Sequence, residues 1–263
     1  MKKITEEFIA KHQPYLYNLA LRLVYYKEDA LDLTNDVWIK IIESIDTFEE
    51  KSEFKTWAYR IMINCFLNQK RKYRDLTFEN FANTMDNLKN SMLSDEYDEP
   101  FKQLLIEEAK IGCMRGMLLC LNPEQRAILI IGDIFEINSD ISSEIFSISK
   151  ENFRKKLSRA RSDLYNFMNN HCSLINKQNS CKCEQKTKAL IEKGYVNPKN
   201  IEFFASFQNT IKNTIKTKSN NLDLTMEKLY KDLYQEHPFY ESDIKIFAIN
   251  ILKNEEIKEI FEL

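Results

Sequence analysis

Glycine and proline are scarce in this chain, with 4 and 5 copies in 263 residues. A sheet-rich fold of that length needs many more tight turns, so the shortage excludes extensive hairpins and predicts long helices. No run approaches the roughly 18 uncharged apolar residues of a membrane span, and the opening MKKITEEFIAKH turns acidic before any apolar stretch develops. The reading is a cytoplasmic chain without a membrane partner. Only three histidines are present, and neither a Gly-rich phosphate loop nor a nucleophile motif stands out, which speaks against an enzyme. Six cysteines without a secretion signal imply reduced thiols, and Cys65, Cys113 and Cys120 sit inside apolar helical patterns as core residues do.

What is present is charge, segregated along the chain. The formal total is only -2, yet five basic residues and no acid lie between Arg60 and Arg74, and six basic residues face one Glu between Lys150 and Arg161. Leu76 to Lys110 is acidic overall. The length exceeds one ordinary domain, and composition divides it into 1–75, a linker at 76–100, 101–169, and a cysteine-bearing helical extension at 170–263. The expected fold class is all-α: two small helical domains, an acidic linker and the added segment.

Three stretches carry the functional reading. In Asp32-Leu-Thr-Asn-Asp-Val-Trp-Ile-Lys-Ile-Ile42, Asp32 and Asp36 fall one helical turn apart while Leu33, Val37 and Ile41 form an apolar stripe. Trp38, one position off that stripe, suggests a protein contact. Phe54 to Arg74 sets aromatic residues and an Asn ahead of a dense basic run, beginning after a polar loop at residues 46–54. Unstacked bases rest on aromatic or apolar surfaces, Asn pairs with base edges and basic residues neutralise phosphates, so the pattern suits single-stranded DNA. Asn122-Pro-Glu-Gln125 is a helix start, and Ile137 to Arg161 then gives a short helix, a tight turn and a basic helix, the pattern of a helix-turn-helix. Taken singly, each also suits an ordinary amphipathic or solvated helix.

Together, in this order and spacing, they resemble the RNA polymerase sigma factors of the extracytoplasmic-function (ECF) group in the sigma-70 family, which keep only regions two and four. The resemblance covers about two thirds of the chain. It implies a sigma factor that binds core RNA polymerase and directs promoter-specific transcription initiation, melting and reading the minus-ten element through region two and binding the minus-thirty-five element through region four. Core contact is carried over to Asp32, Asn35, Asp36 and Trp38. Promoter contact falls to Phe54, Trp57, Arg60 and Asn64, with the basic Lys70, Arg71 and Lys72 behind them. In region four it falls to Ser149, Lys150, Asn152, Arg154, Lys155, Lys156, Arg159 and Arg161, while Phe153 matches a packing position. Ser142 and Ser143 depart from a common Ile-Ala pair, and Ser147 replaces the usual turn Gly. The linker corresponds to a segment that threads polymerase channels, with a plain tether as the equal alternative. Promoter DNA and core polymerase are the implied partners, and an anti-sigma factor is a third that the resemblance admits. The other reading of the helix-turn-helix is a stand-alone transcriptional regulator, for which the first segment has no use.

His171, Cys172, Cys181 and Cys183 put four soft ligands into thirteen residues. No cofactor is required by the sigma reading. Zinc, a redox or disulfide pair, and inert thiols all remain open for this cluster, since its spacing is uncommon for zinc. Beyond Pro198, apolar and aromatic residues at helical spacing, Ile201 to Tyr234, predict further helices that either restrain the DNA-binding regions or stabilise them.

Overall fold

The structure is a computed structural model that describes residues 4–24, 26–69 and 76–201. Lys70, Arg71 and Lys72, and the helices expected beyond residue 201, lie outside the described residues. Every regular element among those described is helical. They divide into two compact units that interleave along the chain: 4–69 with 123–157, and 76–122 with 158–201. The sequence boundaries at 75 and 100 predict consecutive domains instead. The composition of a segment reports its own solvation and says nothing of which distant segment covers its apolar face.

In the first unit, α1 (Glu6–Leu23) begins where the Thr5 hydroxyl accepts from the Phe8 N–H at 3.2 Å. With α2 (Lys27–Ser44) and α3 (Phe54–Asn68) it forms a three-helix group. Leu16, Leu19, Leu23, Leu33, Val37, Tyr59, Met62 and Phe66 are buried at helical spacing. Onto this pack α6 (Pro123–Leu129), a wide π turn at Ile130–Ile134, α7 (Ser139–Phe146) and the start of α8 (Lys150–His171). Arg126 ties the two parts. It is almost completely buried, its Nη1 donates to the Leu23 carbonyl at 2.7 Å, and its guanidinium lies 5.7 Å from the centre of the Phe66 ring. Leu23 ends α1, where carbonyls lack intrahelical donors and a cation is favoured, so one side chain satisfies both needs.

The helix-turn-helix is built by local chemistry. Asn138 Oδ1 accepts from the N–H groups of Asp140 and Ile141 to start α7, and Ser149 Oγ accepts from Asn152 N at 3.2 Å to start α8. Between them Ser147 takes the left-handed conformation, φ 54°, which the chain turn requires and which glycine tolerates better. Gly132 allows the close approach of α8: a Cβ there would stand 2.9 Å from Leu157 Cδ2 and 3.2 Å from Phe153 Cζ.

The second unit is formed by α4 (Phe78–Asp86), α5 (Glu99–Leu119), the later turns of α8, and α9 (Cys183–Glu192). Met85, Leu88, Leu93, Leu105, Ile106 and Leu190 share its core. The stretch 76–100 is therefore structured rather than a bare tether. Its polar composition hid a helix and three core side chains, and two contacts fix it to α9: Lys186 Nζ to the Leu88 carbonyl at 2.6 Å and Ser91 N to the Gln185 carbonyl at 2.8 Å. The Tyr-Asp-Glu-Pro sequence that ends it is the start of α5, with Asp98 accepting from Phe101 N at 2.9 Å and Pro100 in the first turn.

Candidate nucleic-acid interface

The exposed edge of α2 carries the acidic pair. Asp32 is exposed, and Asp36 is half-buried and accepts from Gln69 Nε2 at 2.6 Å, which links α2 to the end of α3. Asn35, between them, buries its Oδ1 with no partner among the described residues. Trp38 departs from the sequence reading. It is fully buried, and its indole N–H donates to Gln13 Oε1 of α1, itself fully buried. Trp38 shares a helix face with Thr34, Ile41, Ile42 and Ile45, all buried, so its position belongs to a wider apolar stripe than Leu33, Val37 and Ile41 define. It is a core residue, and of the four residues expected to dock only Asp32, Asn35 and Asp36 reach the surface.

At the start of α3, Phe54 and Trp57 are half-buried in an aromatic cluster. The Phe54 ring lies 4.7 Å from Phe8 and 4.6 Å from His12, and Trp57 lies 5.0 Å from Phe48. The Tyr15 hydroxyl and His12 Nδ1 are 2.7 Å apart. Desolvation, followed by the charge of Lys11, holds the His12 imidazole below its ordinary value, so it is neutral among these rings. Burial also pushes the Tyr15 and Tyr59 phenols up. Arg60 and Asn64 are exposed further along α3. Asn64 lines an open pocket of about 330 Å³ with Lys40, Glu43, Ser44 and Asn68. Sequence reasoning missed Lys40 and Asn68 as neighbours of Asn64. Asn68 stands one turn after Asn64 and was within reach of a periodicity argument, whereas Lys40 comes from α2 and was not. Cys65, also at this pocket, has its thiol pushed up to about 11 by desolvation, in keeping with a core cysteine.

On α8, Phe153 and Leu157 are buried, while Asn152, Arg154, Lys155 and Arg159 are exposed on the opposite side. Ser149 is spent on the helix cap, though it stays exposed. Lys150 pairs with Asp140 at 2.5 Å, Lys155 with Glu151 at 2.8 Å and Lys156 with Glu124 at 2.7 Å. Surface pairs of this kind contribute only about 0–1 kcal/mol, so exchange for a phosphate oxygen costs little. Arg161 is half-buried on the same helix.

The extension cysteines do not assemble as the sequence suggests. His171 is exposed and stacks on Phe167 at 4.7 Å, while Cys172, Cys181 and Cys183 line a cavity together with Cys113 of α5. Among the described residues no three His, Cys, Asp or Glu side chains are grouped to hold a metal ion. The residues present thus do not fit a tetrahedral zinc site made from His171, Cys172, Cys181 and Cys183.

Residues 8–75, which supply α1, α2 and α3, match sigma-70 region 2. The ECF RNA polymerase sigma factor SigE of Mycolicibacterium smegmatis is 24% identical over 169 residues, which is 64% of this chain and 63% of that protein. RNA polymerase sigma factor YlaC of Bacillus subtilis is 27% identical over 60% of this chain and 88% of its own length. ECF RNA polymerase sigma factor SigM of the same organism is 26% identical over 60% and 91%. This region joined to a helix-turn-helix, with every regular element among the described residues helical, is the build of a transcription-initiation factor of the sigma class. Residues 8–75 carry the family's region 2, and over about 60% of its length the chain is similar to sigma factors that include members of the extracytoplasmic-function group. Among the described residues no helix is long and apolar enough to cross a membrane.

Proposed function

We propose that the chain works in the cytoplasm, by binding and not by catalysis, as the promoter-selecting subunit of RNA polymerase. The edge of α2 formed by Asp32, Asn35 and Asp36 docks on core polymerase. Arg60 and Asn64, with the pocket beside Asn64 and the Phe54–Trp57 rings, take the opened minus-ten strand. The exposed Asn152, Arg154, Lys155 and Arg159 face of α8 enters the minus-thirty-five major groove, and the half-buried Arg161 and the paired lysines serve phosphates. The observation that carries this reading lies within residues 8–75: an acidic and amide edge on one helix adjoins a polar pocket and exposed Arg60 on the next.

The test is transcription in vitro with core polymerase and promoter fragments, beside direct measurement of core binding. Asp32→Ala with Asp36→Ala should weaken core binding roughly tenfold or more, since each 1.4 kcal/mol is a factor of ten. Arg60→Ala with Asn64→Ala should leave core binding intact and lower strand opening, with the salt slope reduced by about 0.9 for each phosphate no longer neutralised. Duplex binding without any core binding would instead make the protein a stand-alone regulator.

A further inference from the structure

Four of the six cysteines meet where the sequence brings together only three. Cys113 from α5 joins Cys172, Cys181 and Cys183 around one cavity of about 20 Å³ in the second unit. Met85, Met114 and Met117 also line it, so seven of its twelve lining side chains bear sulfur around a space the size of one small guest. No oxygen-bearing side chain or imidazole is among the lining residues. Thiolate and thioether donors are what a soft ion selects.

The backbone brings two of these thiols together. Cys172 and Cys181 form an isolated parallel bridge, and Ser173 locks it by donating to the Cys181 carbonyl from both its N–H at 3.3 Å and its hydroxyl at 2.7 Å. Bridged backbones lie about 4.8 Å apart, which puts two sulfurs within reach of one ion between them. All six cysteines are free thiols. No tetrahedral set is preformed, which disfavours zinc and leaves a geometry with fewer ligands.

We propose that this sulfur-lined cavity is a capture site for a single monovalent soft ion, copper(I), held between the Cys172 and Cys181 thiolates. The Cys113 and Cys183 thiols and the three thioethers surround it as a soft inner wall. On binding, two S–H bonds break, two S–Cu bonds form, and two protons leave to solvent. Copper stays at +1, so no oxidant or reductant takes part. The bis-thiolate complex carries one negative charge, and Lys186, which lines the cavity and donates to the Leu88 carbonyl, is the cation beside it, while Lys110 in the same lining is paired with Glu107. This inference is independent of the promoter-binding reading, because it concerns the second unit alone.

The experiment titrates reduced, full-length protein anaerobically with copper(I) in competition with bicinchoninate. One copper(I) per chain should be withheld from the chelator. Cys172→Ser with Cys181→Ser should lower the apparent affinity at least a hundredfold, while His171→Ala and Cys65→Ser leave it unchanged. Far-UV circular dichroism checks that the double variant is folded. If it is not, X-ray absorption on copper-loaded wild-type protein decides, with an all-sulfur shell expected. Failure to withhold copper(I), an undiminished double variant, or nitrogen in the shell would overturn the proposal. Loss of binding in His171→Ala would point back to the ligand set suggested by the sequence.

Discussion

Trp38 separates the fold of α2 from its function, and Trp38→Phe measures the difference. The substitution deletes an indole N–H that is the hydrogen-bond donor to buried Gln13 Oε1. A buried acceptor left unmade costs about 1–3 kcal/mol. The smaller ring also forfeits packing, bounded by the ~3–5 kcal/mol of a full Trp→Ala truncation. A loss of about 2–4 kcal/mol follows, and with a urea slope of roughly 2 kcal/mol per molar the unfolding midpoint falls by about 1–2 M. Core-polymerase binding, measured well below that midpoint, should stay within about twofold of wild type. Asp32→Ala should behave in the opposite way, with stability changed by less than about 0.5 kcal/mol and binding weakened, because Asp32 is exposed. A wild-type midpoint for Trp38→Phe would refute the burial argument. A folded Trp38→Phe protein unable to bind core polymerase would return Trp38 to the docking surface.

Three further perturbations test the framework around the site. Ser147→Gly removes a left-handed penalty of about 1–2 kcal/mol at φ 54° and adds a glycine entropy cost of about 0.5–1 kcal/mol, so calorimetry should show a Tm raised by a few degrees. Gly132→Ala sets a Cβ 2.9 Å from Leu157 and should destabilise by about 1–3 kcal/mol, whereas Gly112→Ala, with nothing within 4 Å, should stabilise α5 by about 0.5–1 kcal/mol in the same urea assay. His12 has a folded pKa below its ordinary 6.5, so the unfolded chain takes up the proton first as pH falls. Its contribution is intact above pH 6.5 and is lost as the pH drops from there through the lowered folded value; His12→Gln should flatten that part of the stability profile, and the imidazole titration is read directly by NMR.

Much of the fold was legible because helices announce themselves locally. The helix start at Pro123, the loop before α3 and the turn at Ser147 are local features of the chain, and the sequence displays those. The helices expected to dock and to read the promoter were placed the same way. What stayed hidden depends on partners far along the chain. Trp38 looked like a contact residue because its acceptor, Gln13, is 25 positions away. The acidic stretch 76–100 looked like a tether because Lys186, which holds it, lies 98 positions from Leu88. Cys113 looked like ordinary core because nothing local shows that α5 runs past the extension cysteines.

The composition of the first unit constrains how promoter recognition proceeds. Residues 123–157 pack on the group formed by 4–69, with Arg126 buried at the junction and Tyr59 and Phe135 in ring contact at 5.8 Å. A compact body of this size has a radius of gyration of roughly 13 Å and spans about 35 Å. The minus-ten and minus-thirty-five elements lie about 25 base pairs apart, and at 3.4 Å per step that is roughly 85 Å of duplex. On the proposed assignment of α3 and α8 to the two elements, one packed unit is too small to hold both at once, and engagement of a promoter is expected to part 123–157 from 4–69 and break the Arg126 bond to Leu23. Dye pairs placed at the exposed Lys51 and Glu144 through unnatural amino acids should report a separation under about 40 Å in the free protein, within the span of one compact unit. On promoter-bound holoenzyme the separation should grow by several tens of Å. An unchanged separation with both DNA elements protected would show that the unit recognises the promoter intact, and would remove the α8 face from the minus-thirty-five assignment.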